Sequence, residues 1–150
     1  MDAVALLKAD HDKVRKILAE GEETTERAEK TRTELFDTLK SEMLIHERIE
    51  EEIFYPALKS HPRARDIVLE GYEEHHVVDE IMGELEATRV TDETWGAKFK
   101  VMKENIEHHI EEEEGEMFKQ ARQVFDADEL EQLGARMMEL KQLGQQGEAR

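Results

Sequence analysis

Residues 46–56 read HERIEEEIFYP and put ionisable side chains where a helix needs apolar ones. Followed at alternating steps of three and four, the stripe of this helix runs Phe36, Leu39, Met43, His46, Glu50, Ile53. Burying an imidazolium or a carboxylate without a partner costs several kcal/mol, so two in one turn call for something to pair with. The same text recurs 63 residues later as HIEEEEGEMF, residues 109–118, which lays His109 on His46, Glu113 on Glu50 and Phe118 on Tyr55. At an offset of 64, Asp10-His11 with Val14, Ile17 and Leu18 lies on Glu74-His75 with Val78, Ile81 and Met82. The chain is therefore a duplication in which each half carries a His and then, about 35 residues on, His-x-x-x-Glu.

The stripes place all six residues inward. His11 falls between Leu7 and Val14, His75 between Tyr72 and Val78, and His109 follows Ile106 by three. Residues four apart stack on one helical face, so His46 with Glu50, and His109 with Glu113, point the same way. Four imidazoles and two carboxylates in one core suit a pair of metal ions. Carboxylates can bridge the ions, imidazoles fill the remaining positions, and a dication keeps buried Glu ionised and His neutral. His61, in the break before Pro62, reads as a surface or capping residue, and His76 and His108 as flanking groups off the seam. The runs Glu50-Glu51-Glu52 and Glu111 to Glu114 read as solvated faces with one inward residue each.

Around these motifs the chain reads as all-α. Its 150 residues suit one domain, 39% are charged, and there are two prolines. One helix is expected over residues 2–20 with Gly21 as its stop, and a second from Thr25 to Tyr55, ended by Pro56. A third follows Pro62 and dissolves around residues 88–91, a fourth is capped by Asp92, and a shorter fifth spans residues 127–143. The expected architecture is an up-and-down antiparallel four-helix bundle with a short additional C-terminal helix, a domain over 1–143 followed by a frayed tail, 144–150. A net charge of −17 disfavours nucleic acid and anionic membranes as partners, and no Cys is present for thiolate ligands or disulfides. The N-terminus is too charged for a signal peptide and no apolar run approaches a membrane span, so a cytoplasmic location is expected.

The set His11, His46-x-x-x-Glu50, His75 and His109-x-x-x-Glu113, with the text LIHERIEEEIFYP and HHIEEEEGEMF, resembles the hemerythrin-like family, the HHE cation-binding domains. The similarity spans about residues 6–138. It implies a non-haem di-iron cofactor, two iron ions with an oxo or hydroxo bridge, bridged also by Glu50 and Glu113, with His11, His46, His75 and His109 as terminal ligands. Oxygen-carrying members place another His four residues after the ligand of the third helix, where this chain has Asp79, and an Asp five residues after the last His, where this chain has Glu113 at four. Those departures argue against reversible oxygen transport. They leave a place for an additional metal ligand, for which Asp79, Tyr72 and Tyr55 are candidates. The expected function is binding and processing of a small oxidant, O2, H2O2 or NO, with catalase-like disproportionation of peroxide as its enzymatic form and an unknown electron donor as a further partner. The alternatives are an oxygen or iron sensor or store, a ferritin-like oxidase, for which the paired Glu-x-x-His signature is missing, and a metal-free bundle.

Overall fold

The computed structural model describes residues 1–148, and all the regular structure among them is helical. Helix α1 (Ala3–Glu22) opens on Asp2, whose Oδ1 accepts the Ala5 N–H at 2.8 Å, the usual way an aspartate satisfies a first-turn donor. It runs through Gly21 rather than stopping there. That glycine is needed for closeness, since a Cβ would overlap the Phe99 ring packed against it.

Helix α2 (Glu29–Ile49) does not end at Pro56. At Glu50–Phe54 the backbone widens into a π turn, in which the Tyr55 N–H donates to the Glu50 carbonyl, and helix α3 (Tyr55–Lys59) then continues. Pro56 falls in the first turn of α3, where a missing N–H costs no intrahelical bond. Pro62–Ala64 forms a 3₁₀ turn ahead of helix α4 (Arg65–Glu86). Asp92 shapes the next turn by accepting from the Thr94 N–H and hydroxyl, and helix α5 begins at Trp95 (Trp95–Glu112). A second π turn, Glu113–Met117, links α5 to helix α6 (Phe118–Val124), with the Phe118 N–H on the Glu113 carbonyl. The two π turns occupy matching positions of the duplication, each beginning at the Glu of His-x-x-x-Glu.

Apolar side chains gather in two layers. One holds Leu6, Leu7, Phe54, Leu58, Val68, Met117 and Phe118, the other Leu18, Leu39, Met82, Trp95, Phe99 and Met102. Passing along α1 the chain goes from the first layer to the second, along α2 to α3 it returns, along α4 it goes out again, and along α5 to α6 it returns. Among the described residues, the buried His and Glu side chains sit between the layers.

Helix α7 (Ala127–Glu148) has 22 residues and is not the short appendage expected; it continues past Gly144, while residues 149 and 150 lie outside the described ones. Leu130, Leu133 and Met137 complete the first apolar layer, so α7 covers α1, α2 and the Glu50–Phe54 turn. At the opposite end Arg32 is buried, with its guanidinium 4.5 Å over Trp95 and donating to the Thr24 and Val90 carbonyls, which ties two connections together. No helix among the described residues is long and apolar enough to cross a membrane.

Candidate metal centre

The six residues read from the duplication meet in one place. His11, His46, Glu50 and Glu113 form one group, and Glu50, His75, His109 and Glu113 a second, each with potential ligand atoms within 4.8 Å of one another. All are buried, and Glu50 and Glu113 belong to both groups. The Nε2 atom of every imidazole faces these two carboxylates: His11 to Glu113 Oε1 at 3.0 Å, His75 to Glu50 Oε1 at 3.1 Å, and His46 and His109 to the Glu four residues ahead at 3.2 Å.

The other ring nitrogen of each imidazole faces an outer carboxylate. His46 Nδ1 lies 3.1 Å from Asp10, His11 Nδ1 2.8 Å from Glu114, His75 Nδ1 3.0 Å from Glu51, and His109 Nδ1 2.7 Å from Glu74. A carboxylate on Nδ1 fixes the ring orientation and leaves Nε2 free to donate electrons, the usual support for an imidazole that binds metal. This overturns the reading of Glu51 and Glu114 as part of a solvated face, while Glu52 and Glu111 are exposed as expected. Glu51 and Glu114 stand one position past the inward Glu, and each lies against the histidine of a neighbouring helix. The duplication carried the signal, because Asp10 pairs with Glu74 and Glu51 with Glu114, acidic in both copies.

Of the three candidate extra groups, Tyr55 reaches the centre. An α-helix would put residue i+5 off the face of Glu50; the π turn brings it back. The Tyr55 hydroxyl donates to Glu113 Oε2, lies 3.4 Å from His75 Nε2, and its ring stacks on His75 at 5.3 Å. Gly71 makes the room, since a Cβ there would stand 2.8 Å from the hydroxyl. Phe118, its counterpart, stacks on His11 at 5.8 Å. Tyr72 is half-buried, edge-on to Tyr55, and Asp79 is exposed on α4 beside Glu47. His76 and His108 are exposed, and His61 lies edge-on to Phe125.

The electrostatics are those of a site that wants positive charge. Burial alone would lower His46 and His109. The charge of the Glu four residues ahead, with the hydrogen bonds of Asp10 on His46 and Glu74 on His109, holds both well above the ordinary histidine value. Burial pushes Glu113 up, but the charge of His109 and the hydrogen bond from His11 hold it well below the carboxylate range. Burial and the charges of Glu113 and Glu50 push the Tyr55 phenol well up. The residues do not satisfy one another fully. His46 Nε2, His109 Nε2 and Glu50 Oε2 are buried without a hydrogen bond, and the two histidine nitrogens are near a carboxylate in distance but not in alignment. Orphaned nitrogen and oxygen atoms converging between two shared carboxylates fit a pair of metal ions.

An all-helical chain whose core encloses two adjoining His and Glu clusters belongs to the metal-binding helical proteins. More narrowly, the hemerythrin HHE cation-binding domain model matches residues 2–121, and the chain belongs to that family. Its fold is similar to the crystal structure of a hemerythrin HHE cation-binding domain-containing protein from Mycobacterium kansasii, with a TM-score of 0.85 at 27% identity over 98% of this chain and 89% of that one. Among curated proteins the sequence finds no significant match.

Proposed function

We propose that the protein is a non-haem di-iron protein that binds and processes a small oxidant, O2, H2O2 or NO, with catalase-like disproportionation of peroxide as its turnover reaction. The carrying observation is that both clusters share Glu50 and Glu113, which is what two adjacent ions bridged by carboxylates require. In this reading the rods α1, α2–α3, α4 and α5–α6 form an antiparallel up-and-down bundle, supported by their alternating passage between the apolar layers, with α7 added on its side. His11 and His46 would hold one ion and His75 and His109 the other. Tyr55 would be the additional ligand on the second, in the place left by the imidazole that Asp79 replaces. A pair of iron ions with an oxo or hydroxo bridge would supply Lewis acidity and electron exchange with the oxidant.

The chain's own groups perform the rest. The four outer carboxylates hold the imidazoles in one orientation, so the centre keeps its shape while charge changes. Without metal the Tyr55 hydroxyl donates to Glu113; as a ligand it would give up that proton. The apolar layers on either side exclude water and bulky molecules, which restricts partners to diatomic or peroxide species, without nucleic acid or membrane. An external electron donor is needed only where turnover is not disproportionation. The tight closure of the centre also favours a second reading, an oxygen or iron sensor or store.

The test is elemental analysis and an absorption spectrum of freshly purified protein, followed by peroxide addition. Two irons per chain and rapid oxygen evolution, lost in His46→Ala, are expected. One zinc per chain, or equal rates with and without metal, would refute the reading. Reversible spectral change with peroxide left intact would select the sensor.

A further inference from the structure

The duplication is broken at one place just outside the centre. Around His11, the outer carboxylate Glu114 is held by a guanidinium, with Arg15 Nη2 at 2.9 Å and Nη1 at 3.2 Å. The repeat maps Glu114 onto Glu51, Arg15 onto Asp79 and Ile110 onto Glu47. Around His75, therefore, the outer carboxylate has lost its guanidinium and gained two acids. One carboxyl group balanced by one guanidinium has become three carboxyl groups without it.

Glu47 and Glu51 approach closely enough to share something, with the exposed Asp79 beside Glu47. Glu47 is 5% exposed and its Oε1 has no partner. Ligand atoms of Glu47, Glu51 and His75 lie within 4.8 Å of one another, and the groups acting on Glu47 include both Asp79 and Glu51. A buried carboxylate oxygen without a donor is costly, and like charges beside it make it costlier. On the other side of the molecule a protein cation answers the same need.

We propose that Glu47, Glu51 and Asp79 form a cation site separate from the di-metal centre, on the outer side of His75, which takes a divalent ion that prefers oxygen ligands. All-carboxylate ligation with room for water suits a hard ion such as Mn(II), Mg(II) or Fe(II). The ion stands where Arg15 stands in the other half. Exposure falls inward from Asp79 through Glu51 and Glu47 to Glu50, which is fully buried, so the site lies on a graded path of carboxylates from solvent to the centre. It therefore serves as a loading station; only this last role rests on the di-metal reading.

Mn(II) is the probe, added to protein as purified with its metal content measured first, and free Mn(II) is counted by its room-temperature EPR signal. One Mn(II) per chain is expected to bind beyond the resident metal. Asp79→Arg, which restores the guanidinium of the other half, and Glu47→Gln should each weaken it at least tenfold with resident metal and far-UV circular dichroism unchanged. Metal-free Asp79→Arg should also load more slowly to the same final content. Mn(II) that is lost in His46→Ala yet kept in Asp79→Arg belongs to the centre and overturns the proposal. No binding beyond the resident metal overturns it as well, and assigns the charge relief to a proton shared by Glu47 and Asp79.

Discussion

The half of the centre around His11 and His46 and the half around His75 and His109 share a frame and differ in what backs it. In both, each imidazole lies between a shared inner Glu and an outer carboxylate. On the first half the outer carboxylates meet cations: Lys141 Nζ stands 2.5 Å from Asp10, and Arg15 grips Glu114. On the second, Glu74 faces Glu112 as well as His109, and Glu51 is partly open to water beside Glu47 and Asp79. The aromatic neighbour differs too, Phe118 on one side and Tyr55 on the other. A carboxylate already paired with a cation withdraws from its imidazole, whereas an unpaired one makes the ring a stronger donor. Duplication has kept the His and Glu positions fixed and let the surroundings make the halves unequal.

The severest way to break the comparison is to remove what the halves share. Glu113→Gln takes a charged partner from His11 and His109 and the charge from the acceptor of Tyr55. In metal-free protein it should cost about 3–5 kcal/mol by urea unfolding, as for breaking a buried pair. Metal content should fall for both positions together. A stable form keeping one metal would show that the carboxylate is not shared.

The next effect belongs to the second half alone. Burial, Asp79, Glu51 and Glu50 push the Glu47 carboxyl up to about 9 from an unfolded value of 4.5. The folded state thus binds this proton more tightly, so its contribution to stability is full below pH 4.5 and is lost as pH rises through about 9. Glu47→Gln should remove that loss and gain on the order of 2 kcal/mol over wild type at pH 9, less than the full shift because the partly relaxed site reaches solvent. His46 and His109, also raised, have the same slope in both proteins and cancel in the difference. Urea midpoints in chelator from pH 5 to 9 measure it, and parallel curves would contradict the assignment.

Much of this was readable before the structure. The period of the apolar stripes and the offset of the repeat located the main rods and all six inward residues, because helical faces and internal copies are properties of sequence spacing. The π turns were not readable. Nothing in EEEIF or EEGEM distinguishes bonding to i−5 from bonding to i−4, and that choice decides whether Tyr55 faces the centre. Pro56 misled for the same reason, since it ends an α-helix but is accommodated where a new helical turn begins. The length of α7 was hidden by the glycines past its expected end, Gly144 and Gly147, which weaken helix propensity without ending the helix.

Tyr55→Phe makes the halves more alike, since Phe118 already occupies the matching position. Losing a hydrogen bond to a charged acceptor should cost about 1.5 kcal/mol in metal-free protein. In loaded protein it should abolish any phenolate-to-metal absorption band. Gly71→Ala should weaken the same band by crowding the hydroxyl. A band that survives Tyr55→Phe would remove the phenol from the ligand set.

Lys141→Met gives the smallest change and isolates the first half. Lys141 comes from α7, so it connects the added helix to the centre through Asp10 and His46. Its loss leaves Asp10 still paired with His46 and the apolar face of α7 in place, so stability should fall by about 0.5–1 kcal/mol. An outer partner of a metal-binding His is typically worth 10–100-fold in metal affinity, and here the partner itself remains. The weaker of two measured metal affinities should therefore move less than tenfold, and the position served by His75 and His109 should not move. Equal shifts at both positions would mean that charge at Asp10 is felt across Glu50 and Glu113, and that the two halves differ less in function than in their neighbours.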